Sequence, residues 1–262
     1  MGVWIETGDV APGVVRARNL FVNLYLIGDR EGWVLVDAGL YRSANAVIAA
    51  AESRFGSGAA PRAIIMTHGH FDHVGAFPHL FERWDVPVYA HPQELPFLTR
   101  AEKYPPPEPR VGKGMMALSS FLYPRTSSDL GGRLQALPED GTVPHLPGWR
   151  WIHSPGHTRG HVSFFRDEDR VLIAGDAFVT TKQESLLSVI RQRQSVEGPP
   201  AYFTPDWIAA KRSVEALAGL QPRIAATGHG TPMGGEALTR GLDRLVRQFD
   251  EIAIPDRGRY VP

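Results

Sequence analysis

The segment Thr67-His68-Gly69-His70-Phe71-Asp72-His73-Val74-Gly75 restricts this chain more than any other. Three histidines and one aspartate fall within six residues, directly behind the apolar run of residues 62–67 (RAIIMT). So many polar side chains on one tight turn would crowd a buried strand end unless they bind something together. Gly69 and Gly75 let the backbone bend sharply there. His68 and His70, two apart, point to the same side of an extended segment, and Asp72 and His73 follow as the chain turns into a helix.

What such a cluster can hold is limited by composition. The chain has no Cys and ten His. Disulfides, zinc ribbons, iron–sulfur clusters and cysteine nucleophiles are excluded, so a bound metal must be held by imidazole and carboxylate. Lys plus Arg and Asp plus Glu are 28 each, a net charge of zero. Without a strong positive field, nucleic acid is not expected as a partner. The N-terminal stretch MGVWIETGDVAPGV lacks a secretory signal pattern, Glu6 stands where myristoylation would need Ser or Thr, and no run is apolar enough for a membrane span. The expectation is a cytoplasmic protein with no membrane partner.

Strands are predicted at residues 20–27, 33–36, 62–67, 86–90, 149–153, 161–166, 171–174 and 223–227. Helices are predicted at 43–55, opened by Ser43 and closed by Gly56, and at 74–84, 206–218 and 235–252. In the last, Leu238, Leu242, Leu245, Val246 and Phe249 form one stripe. Both half-chains share one plan, a β-rich start and a strand–loop–helix finish, which suggests a duplicated two-layer sheet core covered by helices. We expect a single domain over 1–262, interrupted at about 92–147 by an irregular Pro/Gly-rich insertion. Its apolar residues Met115, Met116, Phe121, Leu122 and Tyr123 call for a cover, either substrate under a lid or a second copy in a homodimer.

Three further donors follow predicted strands: His157 in SPGHTRGH, Asp176 in AGDA and His229 in TGHG. They repeat one pattern of buried strand, Gly, donor and small residue. Loops of this kind gather at one sheet edge and would deliver seven ligands to one place.

His68-x-His70-x-Asp72-His73, followed in order by His157, Asp176 and His229, resembles the metallo-β-lactamase-fold superfamily of hydrolases. The resemblance implies an α+β fold, a four-layer αββα sandwich of two mixed sheets flanked by helices. It implies two metal ions: His68, His70 and His157 on the first, Asp72, His73 and His229 on the second, Asp176 bridging both. Asp37, in VLVDAG, matches the family's aspartate behind a ligand histidine, and His161 matches the second His of its GHTxGH pattern. Imidazole with carboxylate suits two Zn(2+), and permits Fe or Mn. Two such ions share a hydroxide that attacks a carbonyl at neutral pH. Asp72 is also a candidate for moving a proton late in the reaction, so Asp72, Asp37 and His161 form the catalytic set.

The implied activity is hydrolysis of a small, lipophilic ester, lactone or thioester. An iron-containing redox enzyme and a phosphodiesterase or nuclease on the same fold are the alternatives, because fold does not choose the reaction. Some acyl-homoserine lactonases of this superfamily carry a Tyr three residues after the bridging Asp; Val179 stands there. The tail Arg257-Gly258-Arg259-Tyr260 is no evident match to the glutathione-binding residues of glyoxalase II. The stretch 178–206 resembles a widespread hydrolase branch of no assigned substrate. Phe178, Tyr202, Phe203 and Trp207 are read as pocket or core, and Arg191 and Arg193 as solvated.

Overall fold

The computed structural model describes residues 5–111, 114–126, 129–182 and 191–262. Met1, Gly2 and part of the 178–206 stretch lie outside these residues. The chain divides into two compact units, Met1–Lys103 with Pro124–Arg150, and Tyr104–Tyr123 with Trp151–Pro262.

The first unit carries a seven-stranded sheet in sequential order: β1 (Ile5–Ala11), β2 (Val14–Asn19), β3 (Val22–Gly28), β4 (Trp33–Val36), β5 (Ile64–Ile65), β6 (Val88–Ala90) and β7 (Leu134–Ala136). Pairing is antiparallel from β1 to β4 and parallel from β4 to β7. The parallel half needs crossovers, supplied by α1 (Ala44–Phe55) and by α2 (Phe71–Val74) with α3 (Phe77–Arg83). α1 and α3 pack on a core of Leu24, Leu35, Ile64, Phe77 and Leu80, where Trp33 stacks on Phe55 at 4.8 Å and meets Trp84 edge-on at 5.7 Å.

The structure departs from the sequence reading in several places, among them the predicted helix 74–84, where α2 ends at Val74 and α3 starts only at Phe77. The predicted strand 20–27 begins only at Val22, because Leu20 takes φ +58° in an exposed turn. That turn pairs β3 with β2 and adds β1, held across the ladder by Glu6 with Arg18. The 92–147 insertion also contains more than loops. α4 (Leu95–Leu98) and β7 belong to the first unit, while α5 (Met115–Leu118) falls in the second.

The second unit has a five-stranded mixed sheet, in the order β12 (Met233–Gly234), β11 (Ile224–Thr227), β10 (Val171–Gly175), β9 (Val162–Arg166) and β8 (Trp149–His153). β10 and β11 run parallel, and β9 and β12 antiparallel to them. The parallel crossover includes α6 (Trp207–Gly219), whose N-cap Asp206 accepts from the Ala209 N–H at 2.9 Å. α7 (Gly235–Arg247) and α8 (Phe249–Ile252) replace the single predicted helix 235–252, which breaks at Gln248. Their stripe is buried as expected at Leu238, Leu242, Leu245 and Phe249, against Leu172, Val214 and Leu217.

The fold is therefore two mixed sheets, each with flanking helices. No helix among the described residues is long and apolar enough to cross a membrane.

Candidate metal centre

The first unit delivers four donors from one turn. β5 runs straight into Met66, whose N–H still bonds the Tyr89 carbonyl at 2.8 Å, and the chain leaves the sheet at Thr67. His70 caps α2 with an extended backbone, so Asp72 and His73 lie in the first helical turn. All seven predicted ligands are at most 6% exposed. The rings of His68 and His70 sit 4.7 Å apart, and those of His68 and His73 4.2 Å apart. Ligand atoms of His68 and His70, of His68 and His73, and of Asp72 and His73 lie within 4.8 Å of each other.

Hydrogen bonds set which nitrogen each ring offers. Asp37, left-handed at φ +62°, accepts from the Thr67 N–H and Thr67 hydroxyl at 2.8 Å each. It also lies 2.8 Å from His73 Nδ1, and a carboxylate only accepts, so His73 Nδ1 carries the hydrogen and Nε2 is the donor atom. Thr67 gives its one hydroxyl hydrogen to Asp37 and so accepts from His68 Nδ1 at 3.0 Å, which leaves Nε2 as the His68 donor as well. Asp37 thus orients one ligand directly and a second through Thr67. Buried Glu94 adds a third support by accepting the Gly69 N–H at 3.2 Å, between His68 and His70.

In the second unit Asp176 follows β10 and His229 follows β11. Asp176 Oδ2 stands 3.1 Å from His229 Nε2 and 3.4 Å from His157 Nε2. His157 sits on a turn whose Gly156, at φ +134°, lets the chain press against α6: a Cβ there would lie 2.4 Å from the Ala210 nitrogen.

His161 is buried beneath that turn in a directed chain. The Asp176 N–H donates to His161 Nε2 at 2.9 Å; His161 Nδ1 donates to Ser154 Oγ at 2.9 Å. Ser154 donates to Ser163 at 2.9 Å, and Ser163 to the Ala174 carbonyl at 3.0 Å. Each step follows from the last, because the Ala174 carbonyl can only accept. The ring is neutral and holds the backbone of Asp176, and the structure gives it this positioning contact.

Thr67, Glu94, Ser154 and Ser163 were not found from the sequence. The pocket residues sort differently from one another. Phe178 and Trp207 lie in the core, Tyr202 and Phe203 are buried beside Tyr123, and Met115, Phe121, Arg191 and Arg193 are exposed. Val179 is buried and bridges Glu197.

A family model of the metallo-beta-lactamase superfamily matches residues 17–229. This chain belongs to the metallo-β-lactamase superfamily. It is 47% identical to "Probable metallo-hydrolase YflN" of Bacillus subtilis over 93% of this chain and 94% of that protein. It is 28% identical to hydroxyacylglutathione hydrolase GloC of Haemophilus influenzae over 50% of this chain and 61% of that protein. Among solved structures, TTHA1623 in a di-iron-bound form is 28% identical, with a TM-score of 0.59 over 89% of this chain and 96% of that one. A Cronobacter sakazakii metallo-β-lactamase, 20% identical, shares the fold with a TM-score of 0.60 over 100% and 88%.

The donors fit the metal that this superfamily implies. Each is an imidazole or a carboxylate, each is buried, and the histidines fixed by partners at Nδ1 present Nε2 lone pairs. Such buried, converging donors suit a divalent cation and suit apolar packing poorly.

Proposed function

We propose that the protein is a dinuclear metal-dependent hydrolase of small carbonyl substrates. His68, His70 and His157 would hold one ion, Asp72, His73 and His229 the other, and Asp176 would be shared. The observation that carries this reading is the arrangement of Asp176 Oδ2 within 3.4 Å of two imidazole Nε2 atoms, in a chain of this superfamily. Bound zinc, or iron or manganese, would supply Lewis acidity and a water acidified to near neutral pH.

The chain's own residues do the rest. Asp37 and Thr67 hold Nδ1 of His73 and His68 as the hydrogen-bearing atoms, so Nε2 of each would be the coordinating atom, and Glu94 fixes the loop between His68 and His70. His161 holds the backbone turn of Asp176. In this reading Asp72, whose Oδ2 lies 3.9 Å from His73 Nε2, would be the carboxylate that takes or returns a proton. Burial of every ligand keeps water from competing for them.

An ester, lactone or thioester is the substrate class we favour. The likeness to hydroxyacylglutathione hydrolase GloC, a thioester-cleaving relative by name, supports thioesters within it. We further read the protein as cytoplasmic, consistent with its cysteine-free composition. The exposed apolar residues of the 115–122 segment fit either a lipophilic substrate or a homodimer contact.

Metal analysis of the purified protein, followed by a panel of thioesters, lactones, aryl esters and bis-p-nitrophenyl phosphate, tests the reading. Two equivalents of metal and turnover of a carbonyl substrate are expected. Cleavage of the phosphodiester alone, or full metal content and activity in His70→Ala, would overturn it.

A further inference from the structure

Thr204 lies 47 residues from His157 in sequence, yet its hydroxyl meets the ring. We propose that Thr204 is the positioning residue that makes Nε2 the donating atom of His157, an inference that rests on the reading of His157 as a metal ligand.

Thr204 Oγ1 is 2.9 Å from the Pro200 carbonyl oxygen and 3.2 Å from His157 Nδ1. A hydroxyl has one hydrogen, and a carbonyl accepts only, so the hydrogen goes to Pro200. Oγ1 therefore meets His157 as an acceptor, and Nδ1 carries the ring hydrogen. A neutral imidazole has only one, so Nε2 presents a lone pair. That is the atom 3.4 Å from Asp176 Oδ2. Two lone pairs at that separation repel one another, and a cation between them turns repulsion into shared coordination.

The surroundings keep this orientation fixed. Thr204 is fully buried, so bulk water does not compete for Nδ1. It closes a 3-10 turn at Ala201–Phe203 that starts from Pro200. Tyr202 at the centre of that turn accepts the Glu108 N–H at 2.9 Å, and the Asp206 N–H returns to the Gly156 carbonyl at 3.3 Å, beside His157. Thr204 and the histidine turn are thereby anchored from both sides. Thr67 does the same for His68, backed by the Asp37 carboxylate where Thr204 is backed by a carbonyl.

The imidazole nitrogen resonances of His157, assigned with His157→Gln and read in the metal-free protein near pH 8, test this directly. The wild type is expected to show a protonated Nδ1 and a bare Nε2. Thr204→Val should release that preference and weaken metal retention against a competing chelator by about tenfold or more, and Thr204→Ser should restore both. A wild-type ring protonated at Nε2 would overturn the proposal, and this measurement needs no variant to fold. So would a folded Thr204→Val that keeps the wild-type tautomer and metal retention. If His157→Gln itself retains metal like the wild type, the ligand reading fails instead, whatever Thr204 does.

Discussion

Asp37 Oδ2 and His73 Nδ1 stand 2.8 Å apart, both buried, at the close of β4 and the start of α2. The same carboxylate takes two hydrogen bonds from Thr67, so three donors converge on two oxygens. An amide at this position keeps one oxygen and turns an NH2 group toward a donor. Asp37→Asn should therefore retain the fold and lose about 10–100-fold in metal affinity, read by chelator competition. Wild-type affinity in a folded Asp37→Asn protein would show that Asp37 does not orient the ligands.

Gly75 ends α2 with no space beside it. A Cβ there would lie 2.2 Å from the Tyr41 nitrogen and 2.6 Å from the Leu40 carbonyl carbon, and both are backbone atoms. The Gly75 N–H also bonds the Gly39 carbonyl at 2.8 Å. Gly75→Ala must push the helix carrying Asp72 and His73 off that loop, at a cost of about 1–3 kcal/mol. Gly219 provides the control, since nothing lies within 4 Å of its Cβ position and alanine favours helix there. Urea denaturation should show Gly75→Ala clearly destabilised and Gly219→Ala unchanged or slightly stabilised.

His161 and Ser154 act in one chain of hydrogen bonds, so their losses should not add. Ser154→Ala leaves the His161 N–H buried without its acceptor, at about 1–3 kcal/mol. His161→Ala removes the ring and leaves the Asp176 N–H in the same state. The double variant should cost less than the sum by at least about 0.5 kcal/mol in equilibrium unfolding. Strict additivity would mean that the two side chains are not coupled.

Glu108 ties the tail of the chain to residues 108–110. Its carboxylate accepts from Arg110 Nε and Nη2 at 2.9 Å each and from the Arg259 N–H at 2.8 Å, and its pKa is lowered from 4.5 to about 2, chiefly by the Arg110 side-chain bond. A depressed carboxyl pKa stabilises the fold above the unfolded value. That contribution is full above about pH 4.5 and fades as pH falls toward 2. Glu108→Gln should cost about 2 kcal/mol at pH 7, and the gap to wild type should narrow between pH 4.5 and 2.5. A gap that is constant with pH would mean the carboxylate is not the group responsible.

The candidate donors stood out because ligand chemistry is local: His68 to His73 share one turn, Asp176 and His229 follow short apolar strands within two residues, and His157 sits in the turn after β8. The supports did not, because they act at long range. Glu94 reaches Gly69 across 25 positions, and a buried Thr or Glu looks the same in a sequence whether or not a ligand depends on it. Among the elements, α7 announced itself through its apolar stripe. β1 did not, since IETGDVA is half polar and contains Gly8, and its pairing comes from the neighbouring strand. β7 has only three residues and owes its place to β6.

The hydrogen bonds from Asp176 through His161, Ser154 and Ser163 to Ala174 all point one way. The row cannot be turned around, because the Asp176 N–H at one end only donates and the Ala174 carbonyl at the other only accepts. It resembles a single file of molecules in proton-ordered ice, and the Asp176 amide should be among the last in the protein to trade its hydrogen for deuterium.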